Sequence, residues 1–110
     1  MTSPSNASDL VVDLLITAGL PADESNVLLA EDKLGNSLVW FGQEYLTEKS
    51  NEWDVELFFE TYAIRRGDKR GWSSSIVAGL ASRADIPVQD RDLIVERARQ
   101  RAIEQIRASA

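Results

Sequence analysis

Glu52, Asp54, Glu56 and Glu60 all stand at even positions of one short run. If that run is a strand, alternation sets the four carboxylates on one face. Hard oxygen ligands so placed suit magnesium, which would allow metal-assisted hydrolysis. Glu31 and Lys33 add an E-x-K tripeptide of the kind some metal nucleases use, although so short a pattern also arises by chance. A magnesium-dependent enzyme working through strand carboxylates is therefore one reading of the chain, ranked third below.

The same face carries rings. Phe41, Tyr45, Phe58 and Tyr62 would project among Asp54, Glu56 and Glu60 if both neighbouring runs are strands. Aromatic anchors inside an acidic rim are what a protein interface uses, the rings giving affinity and the charges steering. Phe41, Tyr45, Asp54, Glu56, Phe58, Glu60 and Tyr62 are thus the expected partner-binding set. A second cluster, Arg65, Arg66, Lys69 and Arg70 followed by Trp72, has cations for phosphates and a ring for stacking on a base. The chain as a whole is acidic, with a pI near 4.6, whereas nucleic-acid-binding domains are usually basic. Nucleic acid is accordingly the second-ranked partner. A third cluster, Arg91, Arg97, Arg99, Arg101 and Arg107, suits the solvent face of a packed helix, or else a helix that pairs in a homodimer or docks on an acidic partner.

What the chain lacks narrows the chemistry further. It has no histidine and no cysteine. Ser-His-Asp triads, imidazole general bases, thiolate nucleophiles and Cys-ligated zinc are all excluded. There is no Gly-rich phosphate loop and no nucleophile elbow. The leading expectation is a non-enzymatic module with no catalytic residue, metal or cofactor, covering a basic surface of a protein partner as an inhibitor, immunity protein, chaperone or adaptor does.

The elements that would position these residues follow from punctuation and period. Ser8 suits an N-cap and Asp9 the first turn, Leu10, Leu14 and Ala18 recur at helical spacing, and Gly19 and Pro21 end the run. A helix is predicted over 8–18. Val27 to Lys33 and Leu38 to Thr47 flank Gly35-Asn36, a hairpin signal, and the second run is rich in Val, Trp, Phe and Tyr. Trp53 to Arg66 alternates Trp53, Val55, Leu57 and Phe59 against Asp54, Glu56, Phe58 and Glu60. Closing a hairpin at Ser50-Asn51 opposes Leu46 to Val55, Glu44 to Leu57, Gly42 to Phe59 and Trp40 to Thr61, which sorts the faces into one mostly apolar and one acidic and aromatic. Residues 72–84 read as a short helix, about 74–83, or as a fourth strand. Asp90 reads as the N-cap of a last helix over 91–108, with Val95, Ala98, Ala102 and Ile106 as its inner stripe.

The sum is an α+β domain over 8–110, with an N-terminal helix, a three- to four-stranded antiparallel meander and C-terminal helices packed on the sheet, preceded by a disordered tail at 1–7. A chain of 110 residues suits one core. Its net charge of −6 is unevenly spread. Residues 1–64 carry twelve carboxylates against two lysines, net −10, and residues 65–110 six against ten cations, net +4. The two halves attract each other, or one faces a partner. No stretch reads as a signal peptide or membrane span, so a cytoplasmic setting is expected. In size, charge and layout the chain resembles small bacterial and phage accessory proteins such as secretion chaperones, immunity proteins and inhibitors of host defence, with no motif behind the likeness.

Overall fold

The computed structural model describes residues 7–49 and 71–109, nearly all of them helical. The helices are α1 (Ala7–Ala18), α2 (Glu24–Lys49), α3 (Trp72–Ala81) and α4 (Val88–Ser109). No strand occurs among the described residues. The expected α+β fold with a meander is overturned.

The first helix ends as its sequence demands. Gly19 adopts φ 79°, and the N–H groups of Gly19 and Leu20 donate to the carbonyls of Ile16 (3.1 Å) and Leu15 (2.9 Å). The left-handed glycine thus satisfies carbonyls that the helix end leaves over. Val11, Leu14 and Leu15 are buried. The chain then turns through Pro21 into a capped start for α2. Asp23 Oδ1 accepts the Asn26 N–H at 2.9 Å, and the Asp23 carbonyl accepts the Val27 N–H at 2.9 Å. Asp23 is therefore the N-cap, and Glu24 stands in the first turn, where the helix dipole favours a carboxylate. Replacing Asp23 by Ala is expected to lower stability by about 1 kcal/mol, the usual worth of such a cap. Urea melts of the two proteins measure it, and an unchanged midpoint would show that the cap contributes nothing.

Twenty-six unbroken helical residues in α2 replace two predicted strands. The reason is visible in which side chains are buried. Val27, Ala30, Leu34, Leu38, Phe41 and Tyr45, all buried or packed against the core, recur in steps of three and four, the spacing of a helical face; odd and even positions mixed in this way cannot share one face of a strand. The pairing of Leu38–Thr47 with Trp53–Arg66 through Ser50-Asn51 cannot form, because its first partner is helical; Trp53–Arg66 lies outside the described residues. Gly35-Asn36 is likewise no hairpin turn. The Asn36 side chain donates to the Asp32 carbonyl one turn back, at 2.8 Å. Gly35 is present for another reason: a Cβ there would lie 2.3 Å from Cε3 of Trp72. The glycine lets the indole, 3% exposed, lie directly against the α2 backbone.

Trp72 opens α3, which buries Ser73, Ile76 and Leu80. A turn held by Arg83 and Asp85, bonded through two contacts of 3.0 and 2.7 Å, leads to Pro87. The Pro87 carbonyl accepts from both Asp90 and Arg91 N–H at 3.0 Å, so α4 begins at Val88 and Asp90 lies within its first turn. The expected cap at Asp90 is corrected accordingly, since proline is well suited to a helix start. Ile94, Ala98, Ala102, Ile103 and Ile106 are buried. The C-terminal helix packs on α2, with α1 and α3 beside them, rather than on a sheet. Small residues Ala98 and Ala102, both fully buried, allow a close approach there. Part of the charge asymmetry is spent inside the fold. Arg99 Nε donates to Asp13 Oδ2 at 2.9 Å, its Nη2 to Thr17 Oγ1 at 2.9 Å, and Arg107 Nη2 to the Thr17 carbonyl at 3.1 Å. These contacts fasten the basic α4 to the acidic α1.

Candidate functional site

Phe41 and Tyr45, expected to share a strand face, share a helix face instead, one turn apart on α2. Both are partly buried against the core. Tyr45 Oη donates to Asp90 Oδ2 at 2.5 Å. That bond, with some burial and the nearby charges of Asp90 and Asp85, pushes the phenol up to about 12, so the ring remains a neutral donor across the physiological range. Around it lies a groove of about 150 Å³ between α2 and α4, which includes Glu44, Glu48, Leu93 and Arg97. Leu93 is 54% exposed, an apolar side chain on the open edge of an acidic groove. Asp54, Glu56, Phe58, Glu60 and Tyr62 lie outside the described residues.

Farther along the same two helices the sign of the charge changes. Lys33, Asn36, Trp40 and Gln43 of α2 face Arg101 and Gln105 of α4 across a depression of about 400 Å³. The Arg101 guanidinium lies 5.1 Å from the centre of the Trp40 ring, a cation–π contact. Trp40 is still 58% exposed. The strand pairing would have placed it on the apolar face. The helical period sets it outside the row Leu34, Leu38 and Leu46, and that period, visible in the sequence, was the available signal. The two helices run antiparallel, as the pairs Tyr45–Asp90 and Trp40–Arg101 require. Lys33, Trp40, Glu44 and Glu48 on one helix, and Leu93, Arg97, Arg101 and Gln105 on the other, form facing ridges. The two depressions are successive parts of one seam.

Other sequence candidates fall elsewhere. Trp72 is enclosed against Gly35, so its ring is not open to a base, and Arg65, Arg66, Lys69 and Arg70 lie outside the described residues. Glu31 and Lys33, two apart on a helix, point to different sides. Glu31 is 3% exposed and beside a groove of about 440 Å³ whose lining includes Val11, Val12 and Val27. Its carboxylate is engaged. Oε2 accepts the Ser73 N–H at 3.0 Å, with the Trp72 and Gly71 amides also bonded to it. Ser73 Oγ donates back to the Glu31 carbonyl at 3.2 Å. Burial raises the acid above its ordinary range, outweighing the amide bonds that lower it. This glutamate caps α3 from a neighbouring helix, because Gly71, the residue at the cap position, has no side chain to do so. Sequence reading had no signal for that long-range bond.

Among the described residues no group of three or more acidic, His or Cys side chains is placed to hold a metal ion, and no helix is long and apolar enough to cross a membrane. No family model, curated protein or solved structure matches the chain.

Proposed function

We propose that the protein is a non-enzymatic binding module and that the α2/α4 seam is the face it offers to another protein. The observation that carries this reading is the exposure of Trp40 and Leu93, 58% and 54%, on a seam that also holds half-buried Phe41 and Tyr45. Aromatic and Arg side chains are the residues in which interface energy concentrates, and exposed rings next to charge suit a partner that desolvates the first and pairs the second. Glu44, Glu48 and Asp90 favour a basic patch on the partner over that end. A cytoplasmic inhibitor, adaptor or chaperone role fits such a module.

The test is affinity capture from the cells that make the protein, with wild type, Leu93→Asp and Glu48→Lys as bait. Leu93 and Glu48 are exposed, so both variants are expected to fold with an unchanged circular dichroism spectrum. The wild type is expected to recover a protein that Leu93→Asp loses and Glu48→Lys retains only weakly. Equal recovery by all three baits would place the interface elsewhere.

A further inference from the structure

The seam is polarised along its length. At one end the described lining carries Lys33 and Arg101 and no carboxylate, a local charge of +2. At the other it carries Glu44, Glu48 and Asp90 against Arg97, a local charge of −2. Of the exposed apolar groups, Leu93 belongs to the acidic end and Trp40 to the inner side of the cationic end. From Lys33 to Glu48 is fifteen residues, about 22 Å of helix. The midpoint of that stretch falls between Trp40 and Phe41, and on α4 the midpoint of Asp90 to Gln105 falls beside Arg97.

Such a strip is complementary to itself. A twofold axis through its centre, perpendicular to the seam, lays the cationic end of one copy over the acidic end of the other and repeats the contact on the far side. That is the condition for an isologous interface, in which one patch serves both subunits. The axis also brings the two Trp40 rings together at the centre, where anchors belong. We propose that the occupant of the α2/α4 seam is a second copy of this chain, packed as an antiparallel dimer of helix pairs. The proposal rests on the reading of the seam as a protein-binding face and names its partner. An unrelated partner would have to reproduce both the polarity and the spacing, whereas a second copy has them already.

Sedimentation equilibrium from about 1 µM to about 1 mM, at low and high salt, decides the matter. A dimer is expected, weaker at high salt because its end contacts are charged and exposed. K33E sets like charges against each other at both ends of the dimer, and so does E48K. Each is expected to raise the dissociation constant about tenfold or more. Mixing K33E with E48K is expected to restore association as a heterodimer, because each reversed charge then meets its opposite. Trp40→Ala is expected to weaken the dimer, with circular dichroism showing the fold unchanged. A monomer throughout the range overturns the dimer, and if Leu93 still governs capture of a different protein the seam reading stands. A dimer indifferent to K33E, E48K and Leu93→Asp overturns both. Loss in each single variant without recovery in the mixture overturns the twofold pairing.

Discussion

Gly35→Ala is expected to destabilise the protein by about 1–3 kcal/mol, although alanine is the better helix former. On an exposed helix the same change would stabilise by about 1 kcal/mol. Here the new methyl would sit 2.3 Å from Cε3, 2.5 Å from Cζ3 and 2.9 Å from Cδ2 of Trp72. These are atoms of a rigid ring enclosed at 3% exposure, with fully buried Leu34 and Ile76 among the core. The ring cannot swing aside as a flexible side chain would, so helix and indole must separate, and overpacking of this kind usually outweighs the propensity gain. Trp72→Leu alone is expected to lower stability by about 3 kcal/mol, through lost burial and the space left behind. In the Trp72→Leu background, however, Gly35→Ala should be close to neutral or favourable. Urea denaturation of the four proteins forms a double-mutant cycle. If the cost of Gly35→Ala is the same in both backgrounds, the contact with Trp72 does not explain the glycine.

Gly35 also shows why the sequence misled. Next to Asn36 and between apolar runs, a glycine has the look of a tight turn, and its true role is fixed by a residue 37 positions later in the chain. Local chemistry contains no trace of that contact. The β-branched and aromatic residues Val39, Trp40, Phe41 and Tyr45 pulled the same way. Against them stood a period of three and four through Val27, Ala30, Leu34, Leu38, Phe41 and Tyr45, which mixes odd and even positions as no strand face does and runs unbroken across the supposed turn. Period outranks propensity here because burying one continuous face of a long helix contributes more than any single residue preference. The stop at Gly19 and Pro21 and the small residues Ala98 and Ala102 on the inner face of the last helix rest on short-range rules and stand in the structure; residues 72–84, open between helix and strand by sequence, hold the helix Trp72–Ala81. Of the candidate face, the rings Phe41 and Tyr45 were legible, but the carboxylates expected beside them, Asp54, Glu56 and Glu60, lie outside the described residues. The rings' neighbours Glu44, Glu48 and Leu93 became visible only once the segment was a helix and α4 lay alongside it.

Removing the Glu31 carboxylate tests a different kind of long-range contact. Glu31→Ala is expected to lower stability by about 2 kcal/mol, because amides at the start of α3 would lose their acceptor in a place water does not easily reach. Glu31→Gln retains an acceptor oxygen and removes the charge, so it should lie within about 1 kcal/mol of wild type at neutral pH. Acidity then separates the two roles of this side chain, as acceptor and as buried charge. Burial raises the Glu31 acid above its ordinary 4.5, which means that the folded protein holds this proton more tightly than the unfolded chain does. The stabilisation from that bound proton is fully present below about pH 4.5 and is lost as pH rises through the raised value. Asp85 has the opposite sign, since bonding to Arg83 lowers its acid below 3.8, and it is exposed. Its contribution is fully present above about pH 3.8 and is lost only as pH falls through the lowered value, so it does not vary between pH 4.5 and neutrality. Between about pH 4.5 and neutrality, wild type should therefore lose stability relative to Glu31→Gln, the difference cancelling every carboxylate the two proteins share. Urea midpoints measured across that range supply the comparison. Parallel curves would mean that the Glu31 carboxylate binds its proton no more tightly in the folded protein, and that the amides of α3 offset its burial completely.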